Sequence, residues 1–293
     1  MKPPQFAYLA PTTVDEVLGA MREAPDDTSI LAGGQSLMPM LNMRMASPRV
    51  VVDLNGVAEL AEIDDGGERV RLGAMVRQRT IETDPRIARR LPLLADATTH
   101  IAHVPIRTRG TVGGSLAHAD PSAELPAAIC ALGGRLHLRG PDGDRVVAAH
   151  EFFLGPLTTA IEPGELLVGI EVEPPPAGSG WAFLEVARTH GAFALAGVAA
   201  VVHIGSDGTI DHMALAMCGV GGAPYMAAWL AEMAIGERPD EALFDHVAQR
   251  LHEEIAPYDD GHATAEYRRR VAVVLTQRAL PAAAARSNGG GSS

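Results

Sequence analysis

Two short segments with adjacent glycines decide the fold: SILAGGQS at Ser29–Ser36 and TVGGS at Thr111–Ser115. In each, a strand-like stretch precedes the glycines and a serine ends the segment, which predicts a strand that leads into a glycine turn. Adjacent glycines can adopt positive φ and expose consecutive backbone N–H groups, and such a concave site binds an anion such as a pyrophosphate. The hydroxyls of Ser36, Thr111 and Ser115 can add further donors.

Neither segment has the spacing of the common nucleotide-binding motifs. Neither reads GxGxxG, and no P-loop lysine follows either one, so simple NAD or ATP binding is not indicated. Taken singly, each diglycine can be an ordinary tight turn. The duplication with flanking serines favours a shared anion site.

Strands and helices are predicted around the first segment. A capping box at Thr13 and Glu16 predicts a helix up to Pro25. Further strands are expected at Ser29–Ala32, Val50–Leu54 and Val70–Ala74, with helical structure at Leu37–Met45 and from Thr80 to about His103. Within the last stretch, Asp84 and Pro85 predict that the helix restarts at a cap.

The region after the second segment continues in the same mixed pattern. Asp120 and Pro121 have the chemistry of an N-cap and a first helical position, which predicts a helix that ends at Gly133. A hairpin from Leu136 to Val147 and a strand at Leu166–Val172 follow. The fold class predicted is therefore α+β.

Three prolines and two glycines between Pro174 and Gly180 predict a domain boundary, because consecutive prolines cannot donate ladder hydrogen bonds. The second domain is predicted to contain strands at Phe183–Val186, Leu195–Ile204 and Ile210–Cys218, followed by helices at about Pro224–Ile235, Pro239–Ile255 and Thr264–Leu280. The segment Ser287–Ser293, which contains only Ser, Asn and Gly, is predicted to be a flexible tail.

Composition narrows the class of function. The chain has 293 residues, a net charge of -12 and a pI of about 5.3, which disfavours binding to nucleic acid or anionic membranes. No apolar run approaches the roughly 20 residues of a membrane helix, and the start lacks the layout of a secretory signal, so we expect a cytoplasmic protein.

The metal-ligating residues do not form a recognisable pattern. Cys130 and Cys218 lie far apart in apolar surroundings, which predicts two buried thiols and places any iron–sulfur cluster on another chain. No carboxylate or thiol pattern completes a ligand set around His100, His103 and His118. We therefore expect neither a bound metal nor a catalytic nucleophile, acid or base in this chain.

Three stretches resemble one known family. They are AGGQSLMPMLNMRMASPRVVVDLN (Ala32–Asn55), HVPIRTRGTVGGSLAHADPSAELPA (His103–Ala127) and, less specifically, AEYRRRVAVVLTQRAL (Ala265–Leu280). They are similar to the FAD-binding medium subunit of molybdenum hydroxylases, a group that includes carbon monoxide, xanthine, nicotine and caffeine dehydrogenases. The resemblance runs from about Phe6 to Leu280.

The resemblance implies a fold and its boundaries. Residues 1–175 would form a two-lobed FAD-binding domain of the vanillyl-alcohol-oxidase (PCMH) type, with lobes at about 1–55 and 56–175. Residues 178–282 would form the C-terminal α+β domain of the carbon monoxide dehydrogenase flavoprotein type, a small sheet with helices.

The resemblance also implies which residues bind FAD. Both glycine loops would hold the pyrophosphate, Glu124 would reach the adenosine portion, and Asp120 would lie near the ribityl and phosphate groups while it caps the next helix. Leu167 would pack on the flavin ring and Phe193 could stack beside it. The full set is Ala32, Gly33, Gly34, Gln35, Ser36, Leu37, Ile101, Ala102, Ile106, Gly110, Thr111, Gly113, Gly114, Ser115, His118, Ala119, Asp120, Glu124, Leu167 and Phe193.

The chain departs from the family in two places. The family often has a basic residue and then Gly-Asp before an aromatic residue, where this chain has Arg188, Thr189, His190, Gly191, Ala192 and Phe193. The changes at Thr189 and Ala192 put in doubt a charged contact to the flavin. Gln35 stands where carbon monoxide dehydrogenases often have His, which favours an organic substrate such as an N-heterocycle or an aldehyde.

The function implied is electron transfer inside a larger enzyme. A large molybdenum subunit would oxidise the substrate, a small iron–sulfur subunit would pass the electrons on, and FAD in this chain would deliver them to an external acceptor. The complex would be a dimer of heterotrimers, that is, a heterohexamer. Two alternatives stay open: a free-standing FAD oxidase or dehydrogenase of the same fold, and a scaffold that has lost its flavin.

Overall fold

A computed structural model describes residues 2–24 and 27–287, and its N-terminal part is built on a small parallel sheet. The strands β1 (Ala7–Leu9), β2 (Thr28–Leu31) and β3 (Val50–Asp53) pair in the order β1-β3-β2. Helix α1 (Val14–Glu23) connects β1 to β2, and the short helix α2 (Leu37–Asn42) follows β2. Thr13 and Glu16 form the predicted capping box of α1. The strand β1 was not predicted.

A five-stranded antiparallel sheet forms the next layer. Its order is β4-β5-β10-β6-β7, and the two-residue strand β4 pairs at the edge. Strand β10 comes from far along the chain and lies between β5 and β6, so this sheet joins distant parts of the sequence. The bounds are β4 (Ile63–Asp64), β5 (Val70–Gly73), β6 (Arg135–Gly140), β7 (Gly143–Ala148) and β10 (Leu166–Val172), with helix α9 (Ala149–Phe152) and the hairpin β8 (Phe153–Gly155) and β9 (Thr158–Thr159) between β7 and β10.

Six short helices lie between β5 and β6. The helical stretch predicted from Thr80 to His103 is divided into three helices, and Asp84 caps the second of them, as predicted, by accepting a hydrogen bond from Arg86 N at 2.8 Å. Helix α6 was not predicted. The helices are α3 (Gln78–Thr83), α4 (Pro85–Arg90), α5 (Pro92–His100), α6 (Val104–Arg109), α7 (Val112–His118) and α8 (Glu124–Ala131).

The C-terminal part contains a four-stranded antiparallel sheet in the order β11-β12-β13-β14. One face of this sheet packs on the last helices, and the other joins the core that α5 and α8 form with the five-stranded sheet. Burial on both faces explains why the run Ala194–Val202 is apolar throughout rather than alternating. The elements are β11 (Gly180–Ala187), β12 (Ala194–Ile204), β13 (Ile210–Cys218), β14 (Tyr225–Met226), α10 (Ala228–Ala234), α11 (Glu241–Glu254) and α12 (Ala265–Ser287).

Three C-terminal predictions are corrected. The residues Tyr225 and Met226 form a strand, so the predicted helix at Pro224 begins only at Ala228. Helix α12 continues past Leu280 and contains Pro281, because the buried residues of its last two turns still pack on β11 and β12. Ser287 is helical, and the rest of the predicted tail, residues 288–293, lies outside the described residues.

Within the described part of the chain, no helix combines the length and the apolar composition that crossing a membrane requires.

Candidate functional site

The first glycine loop leaves β2 and presents backbone N–H groups. Gly34 has a φ of +75°, a value at which only glycine is free of Cβ strain. Among the described residues, the N–H groups of Gly33 to Ser36 donate no hydrogen bond, whereas the carbonyl of Gly33 accepts one from Gln35 Nε2 at 3.1 Å. The loop therefore offers four successive free donors to an anion, as predicted for this segment.

The second glycine segment differs from its prediction, since it is the first turn of a helix rather than a tight turn after a strand. Thr111 caps α7, with its Oγ1 accepting from Gly114 N at 3.0 Å. The N–H groups of Val112 and Gly113 donate to the carbonyls of Val76 and Ala74 at 3.0 and 2.8 Å. The expectation that this segment exposes free amides is wrong, because neighbouring carbonyls and the Thr111 cap already accept from them.

Close packing explains why the second segment needs glycine. A Cβ on Gly113 would lie 2.8 Å from the Cα of Ala74, at the end of β5. No larger residue fits without a shift of the backbone. Gly113 is therefore needed for packing against the sheet, and this requirement would exist without any ligand.

The fold brings the two glycine segments together. A Cβ on Gly33 would lie 2.8 Å from the Cα of Gly110, and a Cβ on Gly114 would lie 3.4 Å from the Cβ of Ala32. The backbone of one loop therefore passes directly over the other. Residues that are about 80 positions apart in the sequence form one surface.

A polar chain of three residues holds the two loops in place. Asn55 Nδ2 donates to the carbonyl of Ala32 at 3.1 Å, and Arg77 Nη2 donates to Asn55 Oδ1 at 2.5 Å. Arg77 Nη1 donates in turn to the carbonyl of Arg109. Burial and the neighbouring charge of Arg109 lower the pKa of Arg77, so two cations lie close together here, and the charge of Asp53 acts on both of them.

Arg109 also borders an open cavity beside the first loop. The cavity measures about 460 Å³ and is lined by Gly33, Gly34, Gln35 and Arg109 together with side chains of α2. Sequence analysis did not assign a role to Asn55, Arg77 or Arg109. For Arg109 a signal was present, because a cation directly before a glycine segment is typical of anion sites.

The predicted flavin-facing residues lie on the turns around α6 and α7. Ala102 and Ala119 have φ values of +41° and +50°, which are unusual for alanine and mark tightly held turns. The carbonyl of Ile101 accepts from Arg107 Nη1 at 2.7 Å. Ile106 is half-buried on α6, and Leu37, Ser115 and His118 are half-buried on their helices.

Asp120 does not cap the next helix, which corrects the prediction. Its Oδ1 accepts from Ser122 N at 2.8 Å in a local turn, and α8 begins later, at Glu124, with Ala123 at its N-cap. Pro121 consequently precedes the helix. The three intervening residues leave Asp120 half-buried at the end of α7.

Glu124 is almost fully buried at the start of α8, which packs on β12 and β13. Burial, followed by the nearby charge of Glu185, raises the pKa of Glu124 to about 8. A carboxyl group in this setting holds its proton at neutral pH.

Leu167 and Phe193, the two residues predicted to contact the flavin ring, differ in their exposure to solvent. Leu167 is buried in β10 opposite Leu138 and belongs to the main core. Phe193 is 70% exposed, just before β12. Its segment packs on the first domain, because a Cβ on Gly191 would lie 2.8 Å from the carbonyl oxygen of Ala102.

Possible metal ligands are dispersed over residues 2–24 and 27–287, where no three His, Cys, Asp or Glu side chains are placed to hold a metal ion. Both cysteines are buried free thiols, as predicted. Burial raises the pKa of Cys130 to about 12. A thiol with such a pKa stays protonated and unreactive at neutral pH.

The comparisons with known proteins agree over nearly the whole chain. Residues 4–175 match the family described as the FAD binding domain in molybdopterin dehydrogenase, and residues 181–283 match the CO dehydrogenase flavoprotein C-terminal domain. The chain belongs to the FAD-binding medium subunits of the molybdenum hydroxylases. The α+β fold class predicted from the sequence is thereby confirmed, and the chain is an oxidoreductase subunit with an FAD-binding domain.

Named relatives include subunits of several bacterial dehydrogenases. The caffeine dehydrogenase subunit beta of Pseudomonas sp. (strain CBB1) is 39% identical over 98% of this chain and 97% of its own. The carbon monoxide dehydrogenase medium chain of Afipia carboxidovorans is 35% identical over 98% of this chain and 99% of its own. A solved structure of carbon monoxide dehydrogenase from Hydrogenophaga pseudoflava has a TM-score of 0.95 at 36% identity, over 98% of this chain and 99% of that one.

The residues present fit FAD. The free amides of Gly33 to Ser36, the cation of Arg109 and the open cavity beside them suit a diphosphate.

Proposed function

We propose that this chain is the electron-transfer subunit of a three-subunit molybdenum hydroxylase, taking electrons from iron–sulfur clusters of a partner and passing them to an external acceptor. The observation that carries the proposal is the meeting of the two glycine segments beneath four free amides and Arg109. FAD, when bound, supplies the redox chemistry. The protein positions FAD and places the charge of Arg109 beside it.

Individual residues have distinct roles in this proposal. The first loop, from Ala32 to Leu37, donates its amides to the diphosphate. The second segment, from Gly110 to Ser115, supports the first through backbone contact and adds the hydroxyl of Ser115. Turn residues and apolar side chains position the remainder of FAD: Ile101, Ala102, Ile106, His118, Ala119, Asp120, Glu124, Leu167 and Phe193.

Substrate oxidation is assigned to a partner. The proposal places molybdenum in a large subunit and the iron–sulfur clusters in a small one, in a dimer of heterotrimers in the cytoplasm. Both cysteines of this chain are buried, which supports clusters on another subunit. Gln35 and the relatives named for caffeine and nicotine favour an organic substrate.

The domain limits also belong to the proposal. We place the boundary within Pro174–Gly180, between an FAD-binding domain at residues 1–175 and a C-terminal domain at 178–282. The lobes of the first domain are about 1–55 and 56–175. The separate parallel and antiparallel sheets support this division.

Purification under native conditions tests the function. We expect two further chains, one with iron–sulfur absorbance and one with molybdenum, to co-purify with this chain and with FAD. Substrate should reduce the flavin only in the complete complex. Reduction of the isolated yellow chain by an alcohol or hydroxy acid would favour a free-standing oxidase instead, and a preparation that stays colourless after incubation with FAD would favour a scaffold.

A further inference from the structure

A buried arginine lies at the start of helix α12, in the stretch AEYRRRVAVVLTQRAL, to which the proposed function gives no role. This residue, Arg268, is 2% exposed. A buried cation is costly unless the groups around it accept its hydrogen bonds. The partners of the guanidinium group therefore indicate which parts of the chain Arg268 holds in place.

One nitrogen of Arg268 holds two main-chain carbonyls together. Nη1 donates to the carbonyl of Leu195 at 2.6 Å and to that of Gly219 at 3.1 Å. Both residues lie just beyond the end of the ladder between β12 and β13, where the last pair is Gly197 with Cys218. Arg268 thus joins the two strands at the point where their own pairing stops.

The other contacts of Arg268 fix the orientation of its guanidinium group. Nη2 donates to Asp260 Oδ2 at 2.6 Å, and the group lies 5.7 Å from the centroid of the Tyr258 ring. Hydrogen bonds from the backbone N–H groups of Ala263 and His262, together with Arg268, lower the pKa of Asp260 to about 2. The ion pair is therefore intact at neutral pH.

Gly219 connects this cluster to the FAD-binding domain. Its N–H group donates to the carbonyl of Pro121 at 2.8 Å, and Pro121 directly follows Asp120. A Cβ on Gly219 would lie 2.6 Å from the carbonyl oxygen of Leu195, so a larger residue would force the backbone apart. Gly219 is held from both sides, by Arg268 at its carbonyl and by Pro121 at its N–H group.

Leu195 connects the same cluster to a second segment that contacts the FAD-binding domain. Phe193 lies two residues before Leu195. A Cβ on Gly191 would lie 2.8 Å from the carbonyl oxygen of Ala102, which shows that this segment packs closely on the first domain. The bond from Arg268 to Leu195 therefore fixes the end of a segment that leads to Phe193.

We propose that Arg268 is a positioning residue for the flavin end of FAD, because it fixes both the Asp120–Pro121 turn and the segment that ends at Phe193. The inference rests on the proposed function, which places these two segments at FAD. Arg268 acts through Gly219 and Leu195 rather than by contact with the cofactor. Among the described residues, no hydrogen bond joins Arg268 to the first glycine loop, to which the diphosphate is assigned.

Binding of FAD and of ADP to the flavin-free full chain separates this positioning role from a general effect on stability. Arg268→Met removes the donors and should weaken FAD binding about tenfold or more, since a hydrogen bond to a charged group contributes roughly that factor. ADP contains the diphosphate and adenosine but no flavin, so it should bind as tightly as to the wild type. Arg268→Lys retains a cationic donor and should restore part of the FAD affinity.

Two other substitutions on α12 are controls. Arg286→Met removes a cation whose Nη1 donates to the carbonyl of Trp181 at 2.6 Å and whose guanidinium group stacks on that ring. Leu280→Ala opens a cavity in the buried core and lowers stability without removing either bond to a carbonyl. Neither control should change the ratio of FAD affinity to ADP affinity.

Unchanged FAD affinity in Arg268→Met would overturn this inference, as would a parallel loss of FAD and ADP affinity. If Arg268→Met does not fold, Arg268→Lys decides the matter: a loss confined to FAD supports the inference, and an unchanged ratio overturns it. The proposed function fails in a different way, because a bound flavin that substrate does not reduce in the complete complex overturns that function and leaves the contrast between FAD and ADP intact.

Discussion

At the scale of single residues, glycine has different roles in the two segments. Gly34 has a positive φ in a loop whose amides donate no hydrogen bond among the described residues. Gly113 needs the space beside Ala74, and its amide is already bonded. The sequence shows the same diglycine in both places, so only the local hydrogen bonds distinguish an anion site from a packing contact.

Gly34→Ala should lower FAD affinity more than stability. The left-handed φ of +75° costs an alanine about 1–2 kcal/mol, and relief of that strain would rotate the donors away from the diphosphate. The control is Gly133→Ala, since Gly133 also has a positive φ, +61°, and a Cβ added there would have no neighbouring atom within 4 Å.

Flavin absorbance per protein and urea unfolding measure the two effects. Both variants should lose free energy of unfolding, Gly34→Ala somewhat more because its Cβ would lie 3.2 Å from side-chain atoms of Leu31 and Met38, while only Gly34→Ala should lose FAD. Equal flavin content in the two variants would contradict the role of the first loop.

At the scale of secondary structure, the second glycine segment of the site lies at the N-terminus of helix α7. Helix α7 begins at a buried threonine whose hydroxyl caps Gly114 N. The cap sets the start of the helix and thereby the position of the backbone on which the first loop rests. Sequence patterns predicted the caps at Thr13 and Asp84 but not the start of α8, because Asp120 instead closes a local turn with Ser122 N.

Thr111→Val should reduce both stability and FAD affinity. Loss of the cap costs about 1 kcal/mol and allows the first turn of α7 to move under Ala32. Thr111→Ser retains the hydroxyl and should preserve both properties. Thermal unfolding and FAD titration measure these outcomes, and a valine variant that binds FAD normally would show that α7 does not position the first loop.

At the scale of the whole molecule, the C-terminal sheet covers the first domain and buries Glu124. The pKa of this carboxyl rises from 4.5 to about 8 on folding, so the unfolded chain ionises at lower pH than the folded one. The stability that comes from the protonated group is complete below pH 4.5 and is lost as the pH rises toward about 8.

Glu124→Gln should therefore flatten the dependence of stability on pH. Between about pH 5 and about pH 8, the free energy of unfolding of the wild type should fall by a few kcal/mol more than that of the variant. This sign follows because folding raises the pKa of the carboxyl group. Urea unfolding of both proteins at the two pH values measures the difference. Parallel curves would mean that the carboxyl is not buried in solution.

The amino-acid sequence alone determined the local elements and the family. The capping box at Thr13, the apolar run of β12 and the diglycine motifs all depend on neighbours in the chain, which pattern and propensity describe. Motif similarity added the cofactor, since AGGQS and TVGGS are specific in their context.

Only the tertiary structure decided which groups act together. The contact of Gly33 with Gly110, the polar chain through Asn55 and Arg77, and the packing of α8, which begins with Glu124, on β12 and β13 join residues from distant parts of the chain. Hydrogen bonding and burial at these points depend on packing between elements, which local sequence does not encode. For that reason the free amides of the first loop and the bonded amides of the second became distinguishable only in the folded protein.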